Sequence, residues 1–360
     1  MQERADYPEA THRLPFPRSY GFTGDQDEHC GNVFQRAIVL DALLDALQRG
    51  KDVDEAYVRA DVRTLVDMRY GNLGWKYIPT VPELAPDADD LALVTQVLVK
   101  SECREIWTLC GKAIDTVSRS AYPDGSFETW IVDDFDDSKE MKRMSRYVRE
   151  KWGTGPDIEV VANLLYSLLL LDRARFQDWV LRGSEWVCQQ QHPDGFWNTT
   201  WYSSKYWGVY MCTRLIASLI AEIGTMHRVA CFLRKTMTRE GGWGENSVTP
   251  LDTALGLLTS SCLAGYSGCE LHIDAIVSSV QYLLRSQNLD GSWLGTDFLR
   301  FPYKSDTIST ALCLKALLTC EKDYGDERDQ HVTAHGSMRW KAWGDTNKVK
   351  MGCTECASDS

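Results

Sequence analysis

The chain has 360 residues, 44% of them hydrophobic and 25% charged, with a formal net charge of −12. So acidic a protein has no general means of neutralising phosphates, which excludes a nucleic-acid binder. No run of eighteen apolar residues occurs and the start, Met1-Gln2-Glu3-Arg4-Ala5-Asp6, is polar; no stable membrane insertion and no signal peptide are expected, and a reduced, cytoplasmic protein is.

Residues 1–29 read as an N-terminal extension, and residues 32–47 and 53–68 as an opening pair of helices. Gly74-Trp75 follows. The same signature returns as Pro123-Asp124-Gly125-Ser126-Phe127, Asp194-Gly195-Phe196-Trp197, Gly241-Gly242-Trp243-Gly244 and Asp290-Gly291-Ser292-Trp293. Steps of 51, 70, 46 and 50 residues between the aligned glycines mean one supersecondary unit repeated. Each unit holds two apolar-periodic segments, the first apolar nearly all round, as at 164–171, the second charged on one side, as at Arg173, Arg175 and Asp178. The first kind is buried and the second is solvated. Alternating inner and outer helices imply an all-α fold: a single α/α barrel of about six inner and six outer helices over residues 30–324. Residues 325–360 form a C-terminal extension. Strands are not expected.

The twelve cysteines fall mostly in apolar helical stretches, and Cys353-x-x-Cys356 lacks the second pair that a zinc site needs. The glycine–tryptophan loops all lie at one end of the barrel, with the starts of the inner helices. Polar residues at those starts would ring a cavity mouth: Asp87, Asp89 and Asp90; Asp157 and Glu159; Lys205 and Tyr206; Asp252; and Lys304 and Asp306. An apolar cavity with such a mouth suits an oily substrate with a polar head.

The 70-residue step carries about twenty extra residues beginning Asp133-Asp134-Phe135-Asp136-Asp137 and continuing through Lys139, Lys142, Arg143, Arg146, Arg149 and Lys151. One reading is a solvated acidic loop before a charged helix. The other is a carboxylate cluster that takes Mg²⁺ and captures a diphosphate.

The stretch Pro82-Glu83-Leu84-Ala85-Pro86-Asp87-Ala88-Asp89-Asp90, with Gly241-Gly242-Trp243-Gly244 and Asp290-Gly291-Ser292-Trp293, resembles the repeat family of squalene–hopene cyclases and prenyltransferase β subunits, over roughly residues 30–320. The prenyltransferase branch would need an Asp-x-Cys and a later His for zinc, but Asp252-Thr253-Ala254 and Ser305-Asp306-Thr307 stand there. In the class II cyclase branch the resemblance makes Asp89, the middle carboxyl of Asp87-Ala88-Asp89-Asp90, an acid that protonates an alkene. A helix N-cap explains one of these acids without chemistry.

Class I chemistry finds a match in Asp133, Asp134 and Asp137, with Asn163 and Ser167 echoing a second metal motif whose acid is replaced by Leu171. In size, helical content and acid-plus-lysine equipment the chain is similar to unusual fungal humulene synthases. That likeness sets the leading expectation: a class I sesquiterpene synthase, a carbon–oxygen lyase converting farnesyl diphosphate to a humulene-type hydrocarbon. Mg²⁺ would be held by Asp133, Asp134 and Asp137 with Asp90, Glu159 and Asn163. Lys304, Asp89 and Tyr206 would be catalytic, and Lys205, Trp201, Tyr202, Trp207, Tyr303 and Asp306 would bind substrate. An isoprenoid diphosphate is the partner, and the oligomeric state stays open. The alternatives are class II protonation through Asp89 and a non-catalytic helical-repeat binding module.

Overall fold

A computed structural model describes residues 7–24, 26–219 and 223–331. The Cys353–Cys356 pair and nearly all of the C-terminal extension lie outside them. Six helices form a closed inner ring: α1 (Val33–Gln48), α3 (Ala88–Lys100), the first half of α6 (Ile158–Gln189), α7 (Lys205–Ala217), α9 (Pro250–Leu263) and α11 (Asp306–His331). Each packs on the next, and α11 returns to α1. The outer layer holds α2 (Glu55–Asp67), α4 (Ile106–Arg119), the second half of α6, α8 (Ile223–Thr236) and α10 (Ile273–Ser286). The fold is the expected α/α barrel, with five outer helices among the described residues.

Burial separates the layers as the side chains require. Helix α1 buries twelve of its sixteen residues, whereas α2 buries three of thirteen. Helix α6 serves both layers because its backbone breaks at Asp172 (φ −160°, ψ 89°). The Asp172 carboxylate there accepts from the Arg175 amide at 3.1 Å, capping the outer half.

The repeated motif has a definite mechanical role. Trp75, Trp197, Trp243 and Trp293 are buried, and each indole N–H donates to the carbonyl ten residues earlier, at 2.7–2.9 Å. That carbonyl belongs to the end of an outer helix, where backbone acceptors lack partners. Phe127 has no N–H to give, and Trp179 instead donates to the Gly125 carbonyl at 2.8 Å. At Gly195, φ is +94° and a Cβ would meet the Arg228 carbonyl at 2.0 Å. Gly195→Ala is therefore expected to destabilise the fold by at least about 1–2 kcal/mol from the left-handed conformation alone. A denaturation midpoint equal to wild type would contradict this account of the repeat.

Two segments outside the repeat complete one end of the barrel. The first is a two-stranded antiparallel ribbon, β1 (His12–Pro15) with β2 (Glu28–Gly31), which corrects the expectation of no strands. Four-residue strands are too short to show alternation in sequence. The second is the insert, which forms α5 (Lys139–Tyr147) and a π-helical turn over Val148–Trp152. Its Met141, Met144 and Val148 pack with Ala85 against Trp130 and Trp152. Phe22 of the N-terminal segment stacks on Trp152 at 5.9 Å, and the Tyr147 hydroxyl donates to the Gly21 carbonyl.

Candidate active site

A cavity of about 330 Å³ lies at that end of the barrel. Its walls come from the ribbon segment (His12, Phe16, Phe22), the start of α3 (Asp87, Asp89, Asp90), the insert (Trp152) and the loops at Trp130, Trp201 and Phe301. No lysine or arginine lines it among the described residues.

The three acids sit there because α3 starts there. Asp87 is the N-cap, accepting from the Asp90 amide at 2.7 Å. Helix geometry then turns Asp89 and Asp90 to different sides of the first turn. The Asp90 Oδ2 atom is buried and has no hydrogen-bond partner. Asp89 is held at both oxygens: Oδ1 accepts from Asn163 Nδ2 at 2.5 Å and Oδ2 from the Tyr202 hydroxyl at 2.5 Å. Burial raises all three carboxyl pKa values. Asp87 reaches about 7, although the Asp90 amide opposes the rise. Asp90 goes well above the carboxylate range, with the Asp87 and Asp89 charges adding to burial. At Asp89 the hydrogen bonds from Tyr202 and Asn163 and the charge of Arg214 pull back.

Behind Asp89 lies a buried amide–guanidinium network. Arg214 of α7 donates to Asn163 Oδ1 and, at 3.1 Å, to Gln96 Oε1, and Gln96 donates to Asn163 Oδ1 at 2.8 Å. Arginine has only donors, so the Asn163 atom facing it is the oxygen. The amide nitrogen is thereby turned to Asp89.

The other expected site residues divide sharply. Trp201 and Tyr202 line the cavity, and the Trp201 indole donates to Asp157 at 2.7 Å. Glu159 is buried and holds this loop by accepting the Thr200 and Trp201 amides, each at 2.8 Å; burial raises its pKa to about 7. Trp207 stacks on Tyr202 at 4.6 Å from outside the cavity, and Tyr206 packs against Phe232 of α8. Tyr303 donates to the Ala10 carbonyl at 2.6 Å, and Asp306 accepts the Gly295 amide at 2.6 Å. Lys205 and Lys304 are exposed and line no part of the cavity.

The residues expected to hold magnesium do not converge. A magnesium cluster needs oxygens gathered at about 2.1 Å from one centre. Asp133 instead pairs with Lys112 at 2.8 Å and Arg119 at 3.7 Å on the outer helix α4. Asp134 is exposed, and Asp137 pairs with Lys142 at 2.9 Å. Asp90 lies in the buried acid cluster, and Glu159 and Asn163 are committed to the hydrogen bonds described above. Among the described residues no group of three His, Cys, Asp or Glu side chains is arranged to hold a metal.

The sequence reading passed over Gln96, Arg214, His12 and Tyr77. Arg214 had a signal, as a lone charge within an apolar inner helix that only a buried partner can satisfy. His12 had none.

Comparison with known proteins gives a consistent picture. The family model for the squalene–hopene cyclase C-terminal domain matches residues 67–304. A terpentedienyl-diphosphate synthase from Kitasatospora griseola is 27% identical over 142 residues, covering 38% of this chain and 28% of that protein. A squalene–hopene cyclase from Bradyrhizobium diazoefficiens is 26% identical over 155 residues, covering 38% and 23%. The matches span about a quarter of the length of these curated relatives. The type II terpene cyclase MstE from Scytonema, solved with its substrate geranylgeranyl dihydroxybenzoate, superposes with a TM-score of 0.64 at 15% identity, over 88% of this chain and 93% of that one. The family match and its terpene-cyclase relatives overturn the class I expectation, with its farnesyl diphosphate ionisation, its Mg²⁺ cofactor and its likeness to fungal humulene synthases. Cyclases of the second type start by adding a proton to carbon instead of expelling diphosphate. The chain belongs to the squalene–hopene cyclase C-terminal domain family.

Proposed function

We propose that the chain is a class II terpene cyclase in which Asp89 protonates an isoprenoid double bond. The observation that carries this reading is the asymmetric hold on the Asp89 carboxyl. Asn163 Nδ2 can only donate, so Asp89 Oδ1 is fixed as an acceptor. The acidic proton therefore belongs on Oδ2. Tyr202 faces that oxygen through a hydroxyl, which turns to accept as readily as to donate. Burial favours the protonated form, while the hydrogen bonds from Tyr202 and Asn163 and the charge of Arg214 oppose the rise and keep it acidic.

Proton transfer breaks the Oδ2–H bond, forms a C–H bond at the alkene and leaves a tertiary carbocation. Phe34, Trp130, Trp152 and Trp201 line the cavity, and a ring face turned to the cation contributes about 0.5–2 kcal/mol by cation–π attraction. The cavity lies at the small end of the roughly 300–1,000 Å³ range of ligand pockets. With no cation on its described wall, it suits a short isoprenoid tail with a neutral or aromatic head.

The test incubates the purified chain in deuterium oxide with farnesol, geranylgeraniol and a prenylated phenol of each chain length. The expected product is a cyclic isomer of the substrate with its head group retained and one deuterium on the ring methylene beside the gem-dimethyl carbon, the former terminal alkene CH, formed equally with EDTA. Loss of the head group would overturn the proposal, and an absence of turnover on every probe would favour the binding module.

A further inference from the structure

Protonation starts the reaction, but something must also take a proton back. Among the described residues six titratable side chains line the cavity: Asp87, Asp89, Asp90, Tyr202, His12 and Tyr77. The first four form the acid cluster and its hydroxyl partner. The other two form a separate pair, with His12 Nδ1 2.7 Å from the Tyr77 hydroxyl. Resting on the class II reading above, we propose that Tyr77 and His12 together are the base that ends the cyclisation.

The hydrogen bonds allow that pair to act as a base in one tautomer. Gln35 of α1 donates its Nε2 to the Tyr77 oxygen at 3.1 Å. The Tyr77 oxygen accepts there, which leaves its own proton available to His12 Nδ1 in the neutral tautomer that carries the ring proton on Nε2. Nε2 is buried and has no hydrogen-bond partner among the described residues. This is the arrangement of an oxygen base backed by an imidazole. Burial pushes the imidazole down to about 4, so it is neutral at pH 7 and free to accept. Its ring lies 4.6 Å from that of Tyr303, an aromatic neighbour for the imidazolium that forms.

The N-terminal segment is anchored to hold this geometry. The Glu9 carboxylate accepts from the Ser305 hydroxyl and from the Asp306 and Thr307 amides, at 2.7–3.0 Å, at the start of α11. Tyr7 donates to Asp61 of α2 at 2.9 Å. Gly31, the partner of His12 in the ribbon, permits close approach to the Tyr77 backbone: a Cβ there would lie 1.9 Å from the Tyr77 carbonyl oxygen.

In the last step a C–H bond next to the final cation breaks, and its electron pair becomes the new double bond. The proton goes to the Tyr77 oxygen as the Tyr77 proton moves to His12 Nδ1. His12 ends as an imidazolium and Asp89 as a carboxylate. One proton returned between them restores both, and substrate and product are isomers.

The experiment compares His12→Gln, Tyr77→Phe and Asp89→Asn with wild type on whichever probe the wild type cyclises in the deuterium assay, in water enriched in oxygen-18. Lys304→Ala, an exposed change, serves as control with the wild-type profile. Both His12→Gln and Tyr77→Phe are expected to lower the share of the native alkene at least about tenfold, with labelled alcohol or shifted alkene isomers in its place. Tyr77→Phe removes one oxygen and keeps the ring, so it decides the matter if His12→Gln fails to fold. Native product in wild-type proportion from both variants, with Asp89→Asn inactive, overturns the base assignment alone. Wild-type turnover by Asp89→Asn overturns the class II reading, and the base falls with it.

Discussion

Asp89→Asn is expected to abolish cyclisation, by a factor of at least about 10³, within the 10²–10⁴ range of a lost general acid. The substitution keeps the shape of the side chain and removes the only proton that the Asn163 contact leaves free to transfer. Asp87→Asn should behave differently, since Asp87 is first a helix cap and asparagine caps as well as aspartate. The ranking of the two variants thus separates chemistry from capping. The pH dependence carries a definite sign. Activity needs the protonated form, and burial raises every carboxyl of the cluster, Asp87 to about 7. The rate is therefore full on the acidic side and lost as pH rises through the titration of the cluster, whose midpoint belongs to the three acids jointly. Product formation followed by gas chromatography, with circular dichroism to verify folding, checks both points. Asp89→Asn within tenfold of wild type would sink the assignment.

The barrel was legible in the sequence because its spacing rule is local. A glycine with positive φ recurs in every motif and a tryptophan that reaches ten residues back in four of the five, and periodicity reads such devices directly. The Asp87–Asp90 motif was legible too, as one of two acidic stretches. Choosing between them was not possible from composition. Asp133 is claimed by Lys112 and Arg119, 21 and 14 residues earlier in sequence and brought beside it only by the fold. Lys205 and Lys304 stand at the right end of the barrel, but both are exposed and outside the cavity wall. Position along a helix start does not settle where a long, flexible side chain goes. His12 was invisible because it sits in a four-residue strand outside the repeats, and its partner Tyr77 is 65 residues away. The repeat specifies the scaffold, whereas the cavity is closed by the two segments that depart from it.

Lys315→Met is expected to destabilise the fold by about 3–5 kcal/mol, the range for stripping one partner from a buried ion pair. No loop joins α1 to α11, the first and last inner helices, so side chains alone must close the ring. Four half-buried charges take part in this closure. Lys315 of α11 binds Asp41 and, at 2.7 Å, Asp45, both of α1, and Lys100 of α3 binds the same two carboxylates at 2.6 and 2.5 Å. Without Lys315, two carboxylates one helical turn apart share a single ammonium. Burial opposes ionisation of Asp41, yet Lys100 and Lys315 hold its carboxyl well below the usual range. Its contribution to stability is therefore present above the ordinary value of about 4 and lost as pH falls toward the folded value. The gap between wild type and Lys315→Met should be widest near neutrality and narrow below about pH 4. Denaturant titrations across that range check it, and a neutral-pH difference under about 1 kcal/mol would refute it. Replacing all four charges with apolar side chains of similar volume should recover much of the loss, since a packed apolar patch replaces such a cluster at little cost. A charge-free variant that stays closed would show that the cluster's distinct contribution is the register of α1 and α3, and through α3 the placement of Asp89.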